Sequence, residues 1–437
     1  MAAATASARS LDRPLALLAA MAFVVQIGVA VMLPLLPVYA QQFGATPFAL
    51  GLLTSAHAVM SSVGQLGGGF LTERFASRRL VAAGIGLYAG ANILIATATA
   101  ALPLIFFRGI AGLGGGINQV AERIYLTEVS ARARRAFSQG ILSAAGAAGS
   151  VLGPVVGGLL VVVSDLRVPF LVVGVTSALA TIAALFLPRP PATLDDDQGV
   201  PAGSPAAALE PDLASDVQEV GATASTVESP RETPAPPSSQ RTIVVLFFAQ
   251  LALNVGFGAF ITTYAIFAID TLGWTAVDVG IVFSMFGLGS VFLGPWLARE
   301  ADRTGRRRMA VLGCIPVVAF ALVFVAGAPQ LIVYATAIAG GGGLTGFEAS
   351  WFALLATATD DGRRGRIFGT VTALTNLGIV VGALAAARLW EEVDIHVAVL
   401  LTALTFGMAS VIMLAHPPDR PTAAPGAPGK AATPAVA

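Results

Sequence analysis

Charge is scarce in this sequence. Asp, Glu, Lys and Arg make up 11% of the 437 residues, against about 25% in a soluble domain. With 56% hydrophobic residues and a mean hydropathy of +0.79, the composition excludes a water-soluble globular protein. Net charge is zero and singles out no partner; no nucleic-acid partner is expected. Cysteine is nearly absent. The single Cys314 excludes an intrachain disulfide framework and any multi-cysteine metal site, and in its apolar run it reads as a packing residue. No Gly-x4-Gly-Lys loop is present, so ATP does not drive this protein. The glycine runs 67–69, 114–116 and 340–343 read as helix packing rather than phosphate cradles. With no metal cluster and no nucleophile–histidine–acid set visible, neither an enzyme nor a cofactor is expected. The first apolar run starts near Leu15 and continues well past 20 residues with no small-residue cleavage site, so it reads as a retained span.

What the chain has in abundance is membrane-length apolar windows. A helix needs about 20 such residues to cross a bilayer. Windows occur at 15–40, 48–71, 80–99, 102–127, 138–163 and 168–187, then at 242–269, 276–298, 309–327, 330–356, 367–388 and 394–415. The fold class expected is an all-α integral membrane protein, twelve transmembrane helices in two pseudo-symmetric six-helix bundles. The domain layout expected is a cytoplasmic N-terminus at 1–14, one bundle at 15–187, a linker at 188–241, a second bundle at 242–415 and a tail at 416–437.

Arginine placement sets the orientation. With the N-terminus inside, every basic residue except Arg108, Arg123, Arg167 and Arg388 falls on the inner side, which puts both termini in the cytoplasm. A plasma (inner) membrane location, multi-pass, goes with this, and a monomer is expected. The linker is rich in Pro, Ala, Ser and acids, including Asp195–Asp197. Such a segment cannot bury enough apolar surface to fold alone.

The halves repeat. Glu73-Arg74 is answered by Asp302-Arg303, Gly114–Gly116 by Gly341–Gly343, and Gly149 with Gly153 by Gly378 with Gly382, at offsets of 229, 227 and 229. Duplication of a six-helix unit around a central site suits a transporter that rocks one half against the other.

Three stretches carry a family resemblance. Asp302-Arg303-Thr304-Gly305-Arg306-Arg307, and more loosely Gly69-x3-Glu73-Arg74-x3-Arg78, are similar to the loop between helices 2 and 3 of the major facilitator superfamily. Arg108-x3-Gly112 in helix 4 resembles that family's Arg-x3-Gly pattern. Gly149-x3-Gly153-Pro154-x2-Gly157-Gly158 resembles the antiporter motif of its twelve-span drug:proton antiporter branch. The resemblance implies a cytoplasmic latch built from Gly69, Glu73, Arg74, Arg78, Asp302, Arg303, Gly305 and Arg306. It also implies a role in proton transfer or substrate contact for Arg108, with a structural arginine bonded to carbonyls as the alternative.

An acid within a span is a functional candidate by default. Glu122 in helix 4 and Glu348 in helix 10 therefore join Arg108 as candidates for proton coupling or substrate contact, with a gate network as the alternative for Glu122. No acid lies within helix 1, which weakens any case for cation-selective transport. Gln26, His57, Asn118, Gln119, Asn254, Tyr264 and Trp351 are candidates to line a cavity, along with Gln65, Gln250, Phe257, Phe347 and Asn376. An interhelical packing bond is an equal reading for each polar one.

The expected function is proton-coupled efflux of small amphipathic compounds (drugs or metabolites) by alternating access, with the substrate, protons and the lipid bilayer as partners. A metabolite permease or importer of the same fold is the alternative. A non-transporting sensor or scaffold acting through the linker is the remaining class. Only Pro154, Gly157 and Gly158 are peculiar to the first half, since alanines stand at the mirrored 383, 386 and 387. Pro154→Ala or Gly157→Leu is therefore expected to impair export more than the mirrored change at Gly382. Efflux rates measured side by side check this, and equal losses would reduce the stretch to helix packing.

Overall fold

In a computed structural model, residues 2–130, 135–189, 240–359 and 364–417 are described. Among them the chain forms twelve long helices and no strand. These are α1 (Ala2–Gln41), α2 (Pro47–Arg74), α3 (Ser77–Ala96), α4 (Ala101–Val129), α5 (Arg135–Val163) and α6 (Arg167–Leu185). The second set is α7 (Gln240–Ile266), α8 (Ala276–Thr304), α9 (Arg306–Val325), α10 (Gln330–Thr357), α11 (Arg364–Glu392) and α12 (Ile395–Leu414). The expected linker and tail fall almost wholly outside the described residues. Helix α1 runs back to Ala2, although its membrane-suited part begins at Pro14.

Ten of the helices are long and apolar enough to cross a membrane. The other two, α2 and α10, are diluted by polar groups and glycine: His57, Ser61, Ser62 and Gln65 in α2, Gly340–Gly343 in α10. Both dilutions have a place in the packing. Large apolar side chains such as Phe70, Phe106, Leu179, Phe292 and Leu404 point outward, as a lipid-facing surface requires.

Helix starts repeat between the halves. Thr46 caps α2 by accepting the Ala49 N–H at 3.3 Å, with Pro47 at the first helical position. Its mirror Thr275 caps α8 in a reciprocal box, taking the Asp278 N–H at 3.2 Å while Asp278 takes the Thr275 N–H at 2.9 Å. Asp165 receives the N–H of Arg167 at the start of α6, and Asp394 that of His396 at the start of α12. That last bond holds the exposed Asp394 carboxyl below the ordinary carboxylate range.

Packing repeats as well. In the first half α2 and α3 flank α4, α5 lies on α1, and α6 lies on α3 and α1; α8, α9, α10, α11, α7 and α12 make the equivalent pairs. Bilayer helices have no hydrophobic drive toward one another, so close van der Waals approach of backbones holds them. Gly84 meets Gly114 where α3 crosses α4, and Gly313 meets Gly343 where α9 crosses α10. These contacts give an offset of 229 in helix 4 too, where the glycine triplets alone suggested 227. The mirror of Glu348 is therefore Gln119, not a neighbour of Glu122.

The turn between the second and third helices of each half differs. Gly305 alone separates α8 from α9 at φ +106°, a conformation that L side chains rarely adopt. The mirrored position is Ala76 at φ −57°, and there the chain uses two residues, Phe75 in extended backbone and Ala76, both with negative φ. Alanine for glycine is thus accommodated by a longer turn.

Overpacking a close crossing costs about 1–3 kcal/mol and sometimes more. Gly114→Leu and Gly343→Leu should each lower the thermal melting point in detergent by a similar amount. Gly115→Leu should change it far less, because a Cβ there meets nothing within 4 Å.

Candidate functional site

The halves meet toward the end of the bundle opposite the termini, and they do so along two mirrored seams. On one, the Pro154 carbonyl of α5 sits against Gly280 of α8, and a Cβ on Gly158 would lie 2.8 Å from the Ala276 carbonyl oxygen. On the other, a Cβ on Gly51 of α2 would lie 2.9 Å from the carbonyl oxygen of Ala383 in α11 and 2.9 Å from the Cβ of Ala387. The second seam also carries a polar clasp. Glu391 accepts the N–H of Phe48 at 2.9 Å, at a helix N-terminus where a carboxylate is favoured. Arg388 stacks 5.0 Å over the Phe48 ring and lies 3.7 Å from Glu391. Nearby, Gln41 donates to Asp270 at 3.2 Å. Asp270 lies in a π-helical turn, Phe267–Thr271, at the end of α7.

Below these seams, toward the termini, lies a cavity of about 340 Å³. Both halves line it. Helix α1 gives Val29, Met32, Leu33, Leu36 and Pro37. Helix α2 gives Leu53, Thr54, His57, Ala58, Ser61, Ser62 and Gln65. Arg108 comes from α4, Phe257 and Ile261 from α7, and Asn376 and Ile379 from α11. Leu53 to Gln65 spans about 18 Å of helix, so the cavity runs along α2 toward the terminal end. Its roof includes Thr54, whose hydroxyl accepts from Thr262 of the other half at 3.3 Å.

Arg108 is buried against α1, with Nη1 3.7 Å from the Met32 sulfur, which Tyr88 also approaches at 3.4 Å. Gly112 and Gly116 continue its face of α4 and let α2 approach at His57 and Ser61. The Arg-x3-Gly spacing therefore sets an arginine beside the place where two backbones touch.

The sequence candidates divide. Arg108, His57, Gln65, Phe257 and Asn376 come together in the cavity. Gln26 does not line it: its Nε2 donates to Ser150 of α5 at 2.9 Å. Asn254 donates to the Thr375 carbonyl at 2.9 Å and Trp351 to the Leu246 carbonyl at 2.8 Å, so both tie helices of the second half together. Tyr264 is fully buried in an aromatic cluster with Phe260, Phe283 and Phe324. Asn118 packs against α3 and reaches Glu122 at 3.5 Å. Gln119 is exposed, and Glu122 and Glu348 are half-buried nearer the terminal end. Arg108, Gly115, Gln119 and Glu122 share one stripe of α4, at spacings of seven, four and three residues.

At the terminal end, the loop arginines bond within their own halves. Arg78 donates to the Leu187 carbonyl at the end of α6 at 2.8 Å, and its mirror Arg307 to the Leu414 carbonyl at the end of α12 at 2.5 Å. Arg306 pairs with Asp302 at 3.1 Å and Arg303 with Glu300 at 4.0 Å. Glu73 and Arg74 are exposed and, among the described residues, form no ion pair. A Cβ on Gly69 would meet nothing within 4 Å.

The glycine-rich stretch of α5 divides by neighbour. Gly149, Gly153 and Gly157 face α1 at Phe23, Ile27 and Val31, while Pro154 and Gly158 face α8 of the other half. Sequence reading missed the clasp, although Arg388 had a signal: it is one of the few basic residues on the arginine-poor side. Met32 and Thr54 gave none, since neither looks unusual in an apolar helix.

Comparison with known proteins agrees with this architecture. The family model described as Major Facilitator Superfamily matches residues 18–244 and 246–437. Quinolone resistance protein NorA of Staphylococcus aureus (strain MSSA476) is 24% identical over 271 residues, 62% of each chain; the chain thus spans about three fifths of that relative's length. Tetracycline resistance protein, class C, of Escherichia coli is 26% identical over 348 residues, 78% of this chain and 79% of that protein. The solved structure of a point mutant of the nucleoside transporter NupG superposes with a TM-score of 0.71 at 13% identity, covering 92% of this chain and 99% of that one. A bacterial homologue of the lysosomal transporter Spinster, in an inward-facing and unoccupied conformation, gives 0.71 at 13% identity, covering 93% and 97%.

The clasp can be tested by access. Cys314 is fully buried, so a Thr54→Cys protein carries one cavity thiol. Adding Glu391→Ala should speed its labelling by an impermeant maleimide applied from the side opposite the termini. An unchanged rate would mean that the clasp does not hold that seam closed.

Proposed function

The chain belongs to the Major Facilitator Superfamily, and from that premise we propose that this multi-pass membrane transporter exports small, largely apolar compounds in exchange for protons. The observation that carries the reading is the cavity. Residues of both halves line it, it is mostly apolar with a few polar groups, and it lies directly beneath the seams where the halves touch. Such a cavity fits a compact amphipathic molecule better than a sugar, whose hydroxyls would each need a partner. Relatives named for quinolone and tetracycline resistance support the outward direction. We place both termini in the cytoplasm of a plasma membrane, with the cavity on the cytoplasmic side of the seams, and take the monomer as the working unit.

The α5 stretch supports export in a specific way. Gly149, Gly153 and Gly157 seat α5 on α1, as Gly378 and Gly382 seat α11 on α7. Pro154 and Gly158 stand where the halves part and rejoin. Glu122 and Glu348 are the proton carriers in this reading. Each is a half-buried carboxyl within a span, which only an interior or water-lined position tolerates. Substrate would load at the cavity from the cytoplasm. Opening of the seams would then release it outward while protons return by way of these acids. The domain division at 188–241 lets the halves move as units, with the linker as tether.

Dye efflux in energised inverted vesicles tests the proposal. Collapsing the proton gradient should abolish transport, and Glu122→Gln or Glu348→Gln should cut it severely without loss of folded protein. Efflux that persists after the gradient is removed would refute coupling. Uptake of metabolites with no outward flux would favour a permease.

A further inference from the structure

The cavity contains a buried cation and no anion. Arg108 is 5% exposed and contributes to the lining, yet no Asp or Glu is among the lining residues. A guanidinium presents five N–H donors. Among the described residues, the acceptor it meets is the Met32 thioether at 3.7 Å, a weak one. The next acid along its stripe of α4, Glu122, lies fourteen residues on, about 21 Å away. The clasp acids are committed elsewhere: Glu391 to Phe48 and Arg388, Asp270 to Gln41.

A charge held in an apolar site is costly unless something pairs with it. Among the described residues none supplies that partner, so the arriving molecule is the natural source. The geometry of a guanidinium favours a planar carboxylate, which it can take in two parallel hydrogen bonds. The cavity walls from α1, α7 and α11 are otherwise largely apolar, with Leu33, Phe257, Ile261 and Ile379, while α2 adds the neutral polar groups of Thr54, His57, Ser61, Ser62 and Gln65. Asn376 brings one amide from the other half. The volume, about 340 Å³, is at the small end of the about 300–1,000 Å³ of drug-sized sites.

We propose that the cavity selects amphipathic carboxylates, compact apolar ring systems bearing one acid group, and that Arg108 receives the acid. The proposal rests on reading this cavity as the transport site. It makes the molecule's charge the counter-ion that the fold omits, and it disfavours cationic compounds, for which two like charges would share a low-dielectric space.

Calorimetric titration of the full chain in nanodiscs with four probes tests this: naphthoate, methyl naphthoate, naphthylmethylammonium and acetate. Naphthoate should bind at least about tenfold tighter than the ester or the ammonium, and acetate, which lacks the apolar body, should bind far more weakly than naphthoate. Arg108→Gln should bring naphthoate down to the ester's affinity. Asn376→Asp keeps Arg108 and adds a competing carboxylate across the cavity. It should weaken naphthoate by at least about tenfold, well beyond any effect on the ester, and it decides the matter if the Arg108 variant fails to fold. Equal affinities for acid and ester overturn the proposal, as does tighter binding of the ammonium, acetate binding as tight as naphthoate, or an Asn376→Asp protein that binds naphthoate normally. Efflux of a neutral dye from vesicles is read separately. If the dye is exported but naphthoate shows no preference, the anion selectivity is wrong and export stands. If nothing is exported while the Arg108-dependent preference holds, the export reading fails and the binding assignment survives.

Discussion

Close approach of helix backbones is the constraint on which the rest of this structure depends. Within a bilayer there is no water to expel between helices, so packing rests on how near two backbones come. Gly84 on Gly114, Gly313 on Gly343, and Gly112 on the His57 backbone are where that nearness is reached. The crossings do more than hold the bundles together. By drawing α2 onto α4 they bring His57 and Ser61 to the cavity wall beside Arg108, which α1 meets at Met32. They also let the two halves meet, at Gly51 and Gly280, through the same kind of contact that holds each half together.

Symmetry and its breaking divide the labour. The scaffold is mirrored down to single caps: Thr46 with Thr275, Asp165 with Asp394, Arg78 with Arg307. The cavity is not. Its one buried cation comes from the first half, and the mirrored position in α10 is Ala337, fully buried among apolar neighbours. The clasp is likewise one-sided. Phe48 and Glu391 close the α2–α11 seam, whereas on the α5–α8 seam Asp278 turns back to cap its own helix through Thr275. Repetition builds the frame, and departures from repetition supply the chemistry.

Much of the frame was legible in the sequence because its signals are local. Twelve apolar windows and repeated glycines each follow from one stretch at a time. The site was less legible because its members come from five helices brought together only by tertiary packing. Polar residues such as Gln26 and Asn254 look identical in sequence whether they bond a neighbouring helix or face a cavity, and here they bond a neighbour. Trp351 likewise spends its only donor on the Leu246 carbonyl. Even the repeat could be misread by two residues, since a run of four glycines offers several registers, and only the contact of Gly343 with Gly313 selects one.

The uniform register between the halves bears on how this chain can vary. The value 229 is arbitrary, because it includes the stretch that joins the halves; its constancy from α2 to α11 is not. One residue inserted in a helix turns everything beyond it by about 100°, which would carry Gly114 off Gly84 or Gly382 off Val255. Length changes within either bundle are therefore penalised at once. An insertion between α6 and α7 leaves every described crossing in register, so the 229 spacing itself is free to change while the pairings within each half are not.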